Sequence, residues 1–248
     1  MGIAPAPAAA LATAYLVAYN VTCALAWLYV DYLLLDALVL RAAGPAGAWP
    51  AVAHVLPALQ TAALLEVAHA ALGLVRGSAF VAFVQVFARL AVLLGFVVPV
   101  PTAQRSAAFA LMAAAWAAVE VPRYVFYVFG TLDKHAADAA DAANGEPPRK
   151  LMPYAVKWLR YSLFIPLYPL GIAGELGCYW AAYGAVQRNE PRLDVAMPNG
   201  WNIKYSHFAL MCFLLALYPI GSWFMIGNMV KARRSALGPA EEQKQRRE

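Results

Sequence analysis

Six stretches of this chain are each long enough and apolar enough to cross a lipid bilayer as a helix. They cover roughly residues 11–31, 50–74, 78–100, 105–129, 154–186 and 206–230. Each is near the ~20 residues that a spanning helix needs. The composition agrees: 62% of the 248 residues are hydrophobic and only 13% are charged, about half the charged share of an ordinary soluble domain. The expected fold is all-α, a polytopic membrane protein built as a bundle of six transmembrane helices. It should form one domain over 1–248, with a short basic tail from about residue 231.

The connections carry the orientation. The segment TLDKHAADAADAANGEPPRKLMP (131–153) is polar, contains Gly145, Pro147 and Pro148, and reads as a solvated loop. A second polar excursion, QRNEPRLDVAMPNGWNIK, covers 187–204. With a cytosolic N-terminus, the cytosolic side holds Arg76, Lys134, Arg149, Lys150, Lys231, Arg233, Arg234, Lys244, Arg246 and Arg247, ten in all. The opposite side holds Arg41, Arg105, Arg188, Arg192 and Lys204, which is five. Positive charge collects on the cytosolic side of membrane proteins, so both termini are expected there, as an even number of spans requires. The basic tail adjoins a span and fits a membrane-proximal segment, not a nucleic-acid site. The first apolar block lacks the basic leader of a signal peptide and is expected to remain as a span. Cys23, Cys178 and Cys212 all lie in apolar blocks without paired spacing, so they read as packed thiols.

Several ionisable or polar residues fall well inside the spans: Glu66 and His69, Gln85 and Arg89, Glu120 and Arg123, Arg160, and Glu175. A charge near the bilayer centre costs at least ~2.5–3.5 kcal/mol on insertion scales, so these groups should face the bundle interior and pair. Spacings of three and four put Glu66 with His69, Gln85 with Arg89, and Glu120 with Arg123 on shared helix faces. His69 reads as a satisfied core histidine. For the charges of the second to fourth spans, a buried structural network and direct substrate contact both stay open.

The stretch LRYSLFIPLYPLGIAGELG (159–177) is the most pointed. Tyr168, Gly171 and Glu175 stand at i, i+3 and i+7, on one helix face. Pro166 and Pro169 each remove a backbone hydrogen bond and should bend the helix. Gly171, Gly174 and Gly177 leave room for a neighbouring helix or an elongated ligand. A carboxyl group and a phenol in such a groove suit proton transfer. Their backbones stand about 10 Å apart along the helix. No metal or cofactor is expected: the histidines His54, His69, His135 and His207 form no box, and no glycine-rich phosphate loop is present. A Cys-x5-Arg phosphatase signature is also missing, since Tyr29, Gly184 and Tyr218 stand six residues after the cysteines. LYPLG at 167–171 recurs as LYPIG at 217–221, but Met225 replaces the glutamate. Tyr218 is therefore expected to be inert.

At these residues the sequence resembles the membrane 3-hydroxyacyl-CoA dehydratases of very-long-chain fatty-acid elongation, a family also labelled protein-tyrosine-phosphatase-like. The resemblance runs through YLVAYNVTCALAW (15–27), LEVAHAALGLVRGSAFVAFVQVFARL (65–90), VEVPRYVFY (119–127), LRYSLFIPLYPLGIAGE (159–175) and MPNGWN (197–202). It implies dehydration of a long-chain (3R)-3-hydroxyacyl-CoA to the trans-2-enoyl-CoA. The family's catalytic tyrosine and glutamate correspond to Tyr168 and Glu175, with either able to serve as acid or base. Supporting positions correspond to Glu66, Gln85, Arg89, Glu120, Arg123, Arg160 and Gly171. The resemblance also implies six spans, an endoplasmic-reticulum membrane and partners among the other elongation enzymes. Pro122 inside the Glu-x-x-Arg-Tyr segment and the loosely matching last helix are the departures. Two other classes fit parts of the pattern. One is a non-catalytic scaffold, against which the presence of both Tyr168 and Glu175 counts. The other is a proton-coupled transporter, against which the lack of a repeated half counts.

Overall fold

The computed structural model describes residues 6–143, 145–146 and 148–238. All its regular elements are helices: α1 (Ala6–Leu35), α2 (Ala48–Val52), α3 (Leu56–Ala62), α4 (Leu64–Ala71), α5 (Ala79–Leu90), α6 (Pro101–Gln104), α7 (Ala107–Ala142), α8 (Tyr154–Ser162), α9 (Phe164–Gln187) and α10 (His207–Leu237). Two π-helical segments, Asp36–Leu40 and Ala91–Val97, continue α1 and α5. Among the described residues the nearest approach to a sheet is a single antiparallel bridge between Val195 and Tyr205.

Local chemistry sets the boundaries. Ser78, Ser106 and Ser206 cap α5, α7 and α10, each hydroxyl accepting from the backbone N–H three residues on. That bond satisfies one of the donors a helix start leaves open. Pro57 and Pro166 account for two breaks. Pro57 has no N–H to offer the carbonyl of Ala53, and the chain bends by 62° between 45–52 and 56–71. Pro166 cannot bond to Ser162, and the chain is interrupted at Leu163, between α8 and α9.

Among the described residues, four helices are long and apolar enough to span a membrane: Ala9–Leu40, Ala79–Val97, Ala107–Ala142 and His207–Leu237. The bent pair over 45–71 would make five. The segment expected as one helix over 50–74 is thus interrupted, and the bend expected from the prolines within 154–186 falls at Leu163; six crossings are more than the four or five that length and apolar character support. Glu175, the prolines and the tyrosines of α9 also lower its apolar character. The expected loop over 131–153 is corrected as well, because α7 continues as helix to Ala142. Its alanines favour helix, and Lys134 pairs with Asp138 one turn on, at 2.6 Å. The true connection begins at Ala143. It returns to α8 pinned by Asp133, whose carboxylate oxygens accept from the backbone N–H groups of Leu151 (2.6 Å) and Met152 (3.3 Å).

α7 is the central helix, packed against α1 on one side and α9 on the other. Trp27, Val30, Val52, Leu56, Phe96, Phe109, Met112 and Tyr179 are fully or almost fully buried around it. The α7–α9 contact is close because of glycine. A Cβ at Gly174 would lie 2.6 Å from the backbone nitrogen of Met112, and one at Gly177 would lie 2.5 Å from the Cβ of Ala108. The room left by these two glycines is filled by a helix. α10 packs against α8 and α9 and carries Lys231, Arg233 and Arg234 on its last turns, with Arg233 Nε donating to Ser162 Oγ at 3.4 Å. Lys244, Arg246 and Arg247 lie outside the described residues.

Candidate active site

Two clusters occupy the interior. The first joins α4, α5 and α7. Arg123 donates from both amino groups to Glu66, at 2.6 and 2.8 Å, and from Nε to Glu120 at 2.6 Å. Arg89 pairs with the other oxygen of Glu120, and the Tyr124 hydroxyl donates to Glu66. Glu120, Arg123 and Tyr124 lie at i, i+3 and i+4, which puts all three on one face of α7. The Arg123 guanidinium also sits over the Tyr124 ring, 4.3 Å from its centroid, and over Tyr127 at 5.4 Å. Two carboxylates and two guanidiniums therefore neutralise one another. Glu120 shows 0% exposure, and a buried carboxylate is tolerable only with its lone pairs occupied in this way.

The second cluster surrounds Glu175 on α9. Its Oε1 accepts from the Trp116 indole Nε1 at 2.9 Å, and its Oε2 accepts from the Tyr218 hydroxyl at 2.7 Å. Trp116 comes from α7 and Tyr218 from α10, so three helices meet at one carboxylate. The clusters touch through Arg89, whose guanidinium lies 5.4 Å from the Trp116 ring centroid. Tyr218, expected to be inert, is placed in direct contact with the Glu175 carboxylate.

Tyr168 stands two turns before Glu175. Its hydroxyl neighbours Ser222 of α10. Among the described residues, Glu175 takes its hydrogen bonds from Trp116 and Tyr218, not from Tyr168. Gly171 lies between them on the helix, buried, with Ala115 of α7 opposite; a Cβ there would stand 3.9 Å from that of Ala115, an ordinary contact.

Gln85 and Arg89 part company despite their shared face. Arg89 joins the ion network, whereas Gln85 reaches α10 and donates to Met225 Sδ at 3.5 Å. Arg160 on α8 stands over Tyr127 (5.9 Å) and Tyr161 (5.8 Å), and its buried Nε has no hydrogen-bond partner. No carboxylate pairs with it among the described residues. His69 is a core histidine: the Tyr15 hydroxyl meets its Nε2 at 2.8 Å and the Tyr19 ring packs edge-on at 4.8 Å. No cluster of three or more His, Cys, Asp or Glu able to hold a metal occurs among the described residues.

Trp116 and Tyr218 are the site residues that sequence reasoning missed. Each had a weak signal. Trp116 is one turn before Glu120, on the face that carries the ion network, and Tyr218 opens the LYPIG echo.

These features define a class: an all-helical protein of apolar spans, enclosing a neutralised arginine–glutamate network beside a carboxylate held by uncharged donors. The family model described as "Protein tyrosine phosphatase-like protein, PTPLA" matches residues 60–239. The chain belongs to that family. It is 32% identical over 235 residues to very-long-chain (3R)-3-hydroxyacyl-CoA dehydratase 2 of Homo sapiens, covering 94% of this chain and 85% of the human protein. It is 31% identical over 227 residues to very-long-chain (3R)-3-hydroxyacyl-CoA dehydratase PASTICCINO 2A of Oryza sativa subsp. japonica, covering 92% of this chain and 94% of the relative. Against very-long-chain (3R)-3-hydroxyacyl-CoA dehydratase hpo-8 of Caenorhabditis elegans it is 32% identical over 237 residues, 93% of this chain and 98% of the relative. No solved structure matches.

Proposed function

We propose that this protein is a membrane lyase that dehydrates long-chain and very-long-chain (3R)-3-hydroxyacyl-CoA to trans-2-enoyl-CoA in fatty-acid elongation. The observation that carries the chemistry is the partition of the interior charges. Among the described residues, guanidiniums sit on the oxygens of Glu66 and Glu120, and none on those of Glu175. Its donors are neutral, and each carboxylate oxygen keeps a further lone-pair position for a substrate proton.

In this reading Glu175 is the base and Tyr168 the proton donor. Glu175 takes the proton from C2, the C2–C3 double bond forms as the C3–O bond breaks, and the Tyr168 hydroxyl protonates the departing oxygen. Water and the enoyl thioester leave. The proton then held by Glu175 returns to the Tyr168 phenolate, which restores the starting state. Arg160, which has no carboxylate partner among the described residues, polarises the thioester carbonyl as enolate character develops. Arg149 and Lys150, in the connection before α8, receive the CoA head group. Glu66, Arg89, Glu120 and Arg123 support the site by holding α4, α5 and α7 in place, with Gln85 and Gly171 aiding the contacts to α10 and α7.

A six-span arrangement belongs to the same proposal, with the bent 45–71 segment and the α8–α9 unit as the second and fifth crossings. So do one domain with a basic tail, an endoplasmic-reticulum location, cytosolic termini and association with other elongation enzymes. The ten-to-five asymmetry in Lys and Arg supports the orientation.

The test uses pure protein in detergent and a 3-hydroxyacyl-CoA, with enoyl-CoA as the readout. The wild type should form it. Glu175→Gln, which keeps size and loses the basic carboxylate, and Tyr168→Phe should each lower turnover by about 10²–10⁴-fold while leaving the protein folded. Near-full activity in Glu175→Gln would make the carboxylate structural and end this mechanism.

A further inference from the structure

Glu175 is gripped by two donors of different chemistry. The Trp116 indole has a proton to give and no lone pair to accept with, so Oε1 is a permanent acceptor. Each carboxylate oxygen keeps a free lone pair, and a substrate proton that settles on Oε2 lands on the oxygen that Tyr218 holds at 2.7 Å. A tyrosine hydroxyl works in both directions. It donates to the carboxylate, and it can accept from the carboxylic acid if its own proton turns elsewhere. A second phenol is at hand: Tyr179 is 1% exposed and its ring stands 5.8 Å from that of Tyr218.

We infer that Tyr218 is a positioning residue for Glu175, holding Oε2 in its charged state and accommodating the proton that Oε2 gains during turnover. The second LYP copy has no glutamate of its own and faces that of the first. The inference rests on the dehydratase reading above and extends it to a third helix. The ionisable groups facing Glu175 are Arg89 from α5, Tyr168, Cys178 and Tyr179 from α9, and Tyr218 from α10; α7 contributes the Trp116 indole.

The experiment measures kcat and KM for a 3-hydroxyacyl-CoA across pH, with wild-type protein and Tyr218→Phe in the same detergent. Tyr218→Phe keeps the ring against Tyr179 and deletes only the hydroxyl. Its kcat should fall about 10- to 100-fold, the size of one hydrogen bond to a charged group, with KM changed by less than about threefold. The acid limb of its kcat profile should move to higher pH, because the anion has lost a donor. A hydroxyl with a purely structural role would lower stability and leave that limb in place. If Tyr218→Phe does not purify folded, 3,5-difluorotyrosine at 218 keeps both ring and hydroxyl but is the stronger donor, and the limb should then move to lower pH. Active wild type beside a variant of unchanged kcat, or of unmoved limb, overturns the inference alone. Absence of enoyl-CoA from the wild type overturns the dehydratase reading and this inference with it.

Discussion

Arg89 pairs with Glu120 and covers the Trp116 ring, so one side chain connects the ion network to the donor that holds Glu175. Removing it leaves Glu120 with Arg123 alone and uncovers Trp116. Arg89→Ala should therefore lose stability of about 3–5 kcal/mol, the usual cost of breaking a buried pair, together with activity. Thermal unfolding in detergent measures the first and enoyl-CoA formation the second. Unchanged melting with lost turnover would place Arg89 against the substrate instead. The charged residues of this network were visible in the sequence because charge in an apolar helix is costly and needs a reason. Their grouping was legible only within α7, where spacing puts Glu120 with Arg123; the ties to Glu66 and Arg89 cross between helices, and Gln85 and His69 found other partners. Trp116 and Tyr218 carry no such cost, and an aromatic residue in a membrane helix raises no question on its own. Their role depends on where α7 and α10 meet α9, which no local pattern encodes.

At the level of helices, the α7–α9 seam sets how near Trp116 comes to Glu175. Gly174 and Gly177 permit that approach, while Gly171 faces a looser part of the seam. Gly174→Ala forces a methyl group into the backbone of Met112 and should destabilise by about 1–3 kcal/mol, as overpacking commonly does. Gly171→Ala meets only an ordinary contact and should melt close to the wild type. Thermal scans of the two variants check the contrast; equal losses would mean that the seam is not close-packed at Gly174. Three glycines in the sequence announced a close approach but not its occupant, and α7 fills the space at two of them. Helix ends were partly legible. Pro166 was read as a bend, whereas the serine caps went unread and the polar run after Gly130 concealed a helix held by alanine propensity and the Lys134–Asp138 pair. The charge content that suggested a loop is the charge content of a helix in water.

For the molecule as a whole, the count of spans is harder to read than their presence. The segment that carries Glu175 and Tyr168 falls outside the helices apolar enough to span because of the groups it carries, and the apolar segment over 45–71 is bent at Pro57. Both departures from a plain apolar helix come from identifiable residues. Orientation has a direct test. Glycosylation acceptors placed in the 187–204 connection should be modified in a eukaryotic host, and acceptors at 145–150 should not be; the reverse pattern would invert the molecule. The projecting part of α7 bears on this architecture in one more way. A helix of 36 residues is about 54 Å long, against a hydrocarbon core of about 30 Å. It therefore works as a shaft that fixes angular phase between its ends. Glu120 and Arg123 engage near the middle, and ten residues beyond Arg123 the carboxylate of Asp133 catches the returning chain. One residue added between them would turn Asp133 by about 100° away from Leu151. Along the shaft, every residue between Arg123 and Asp133 keeps time with the ion network.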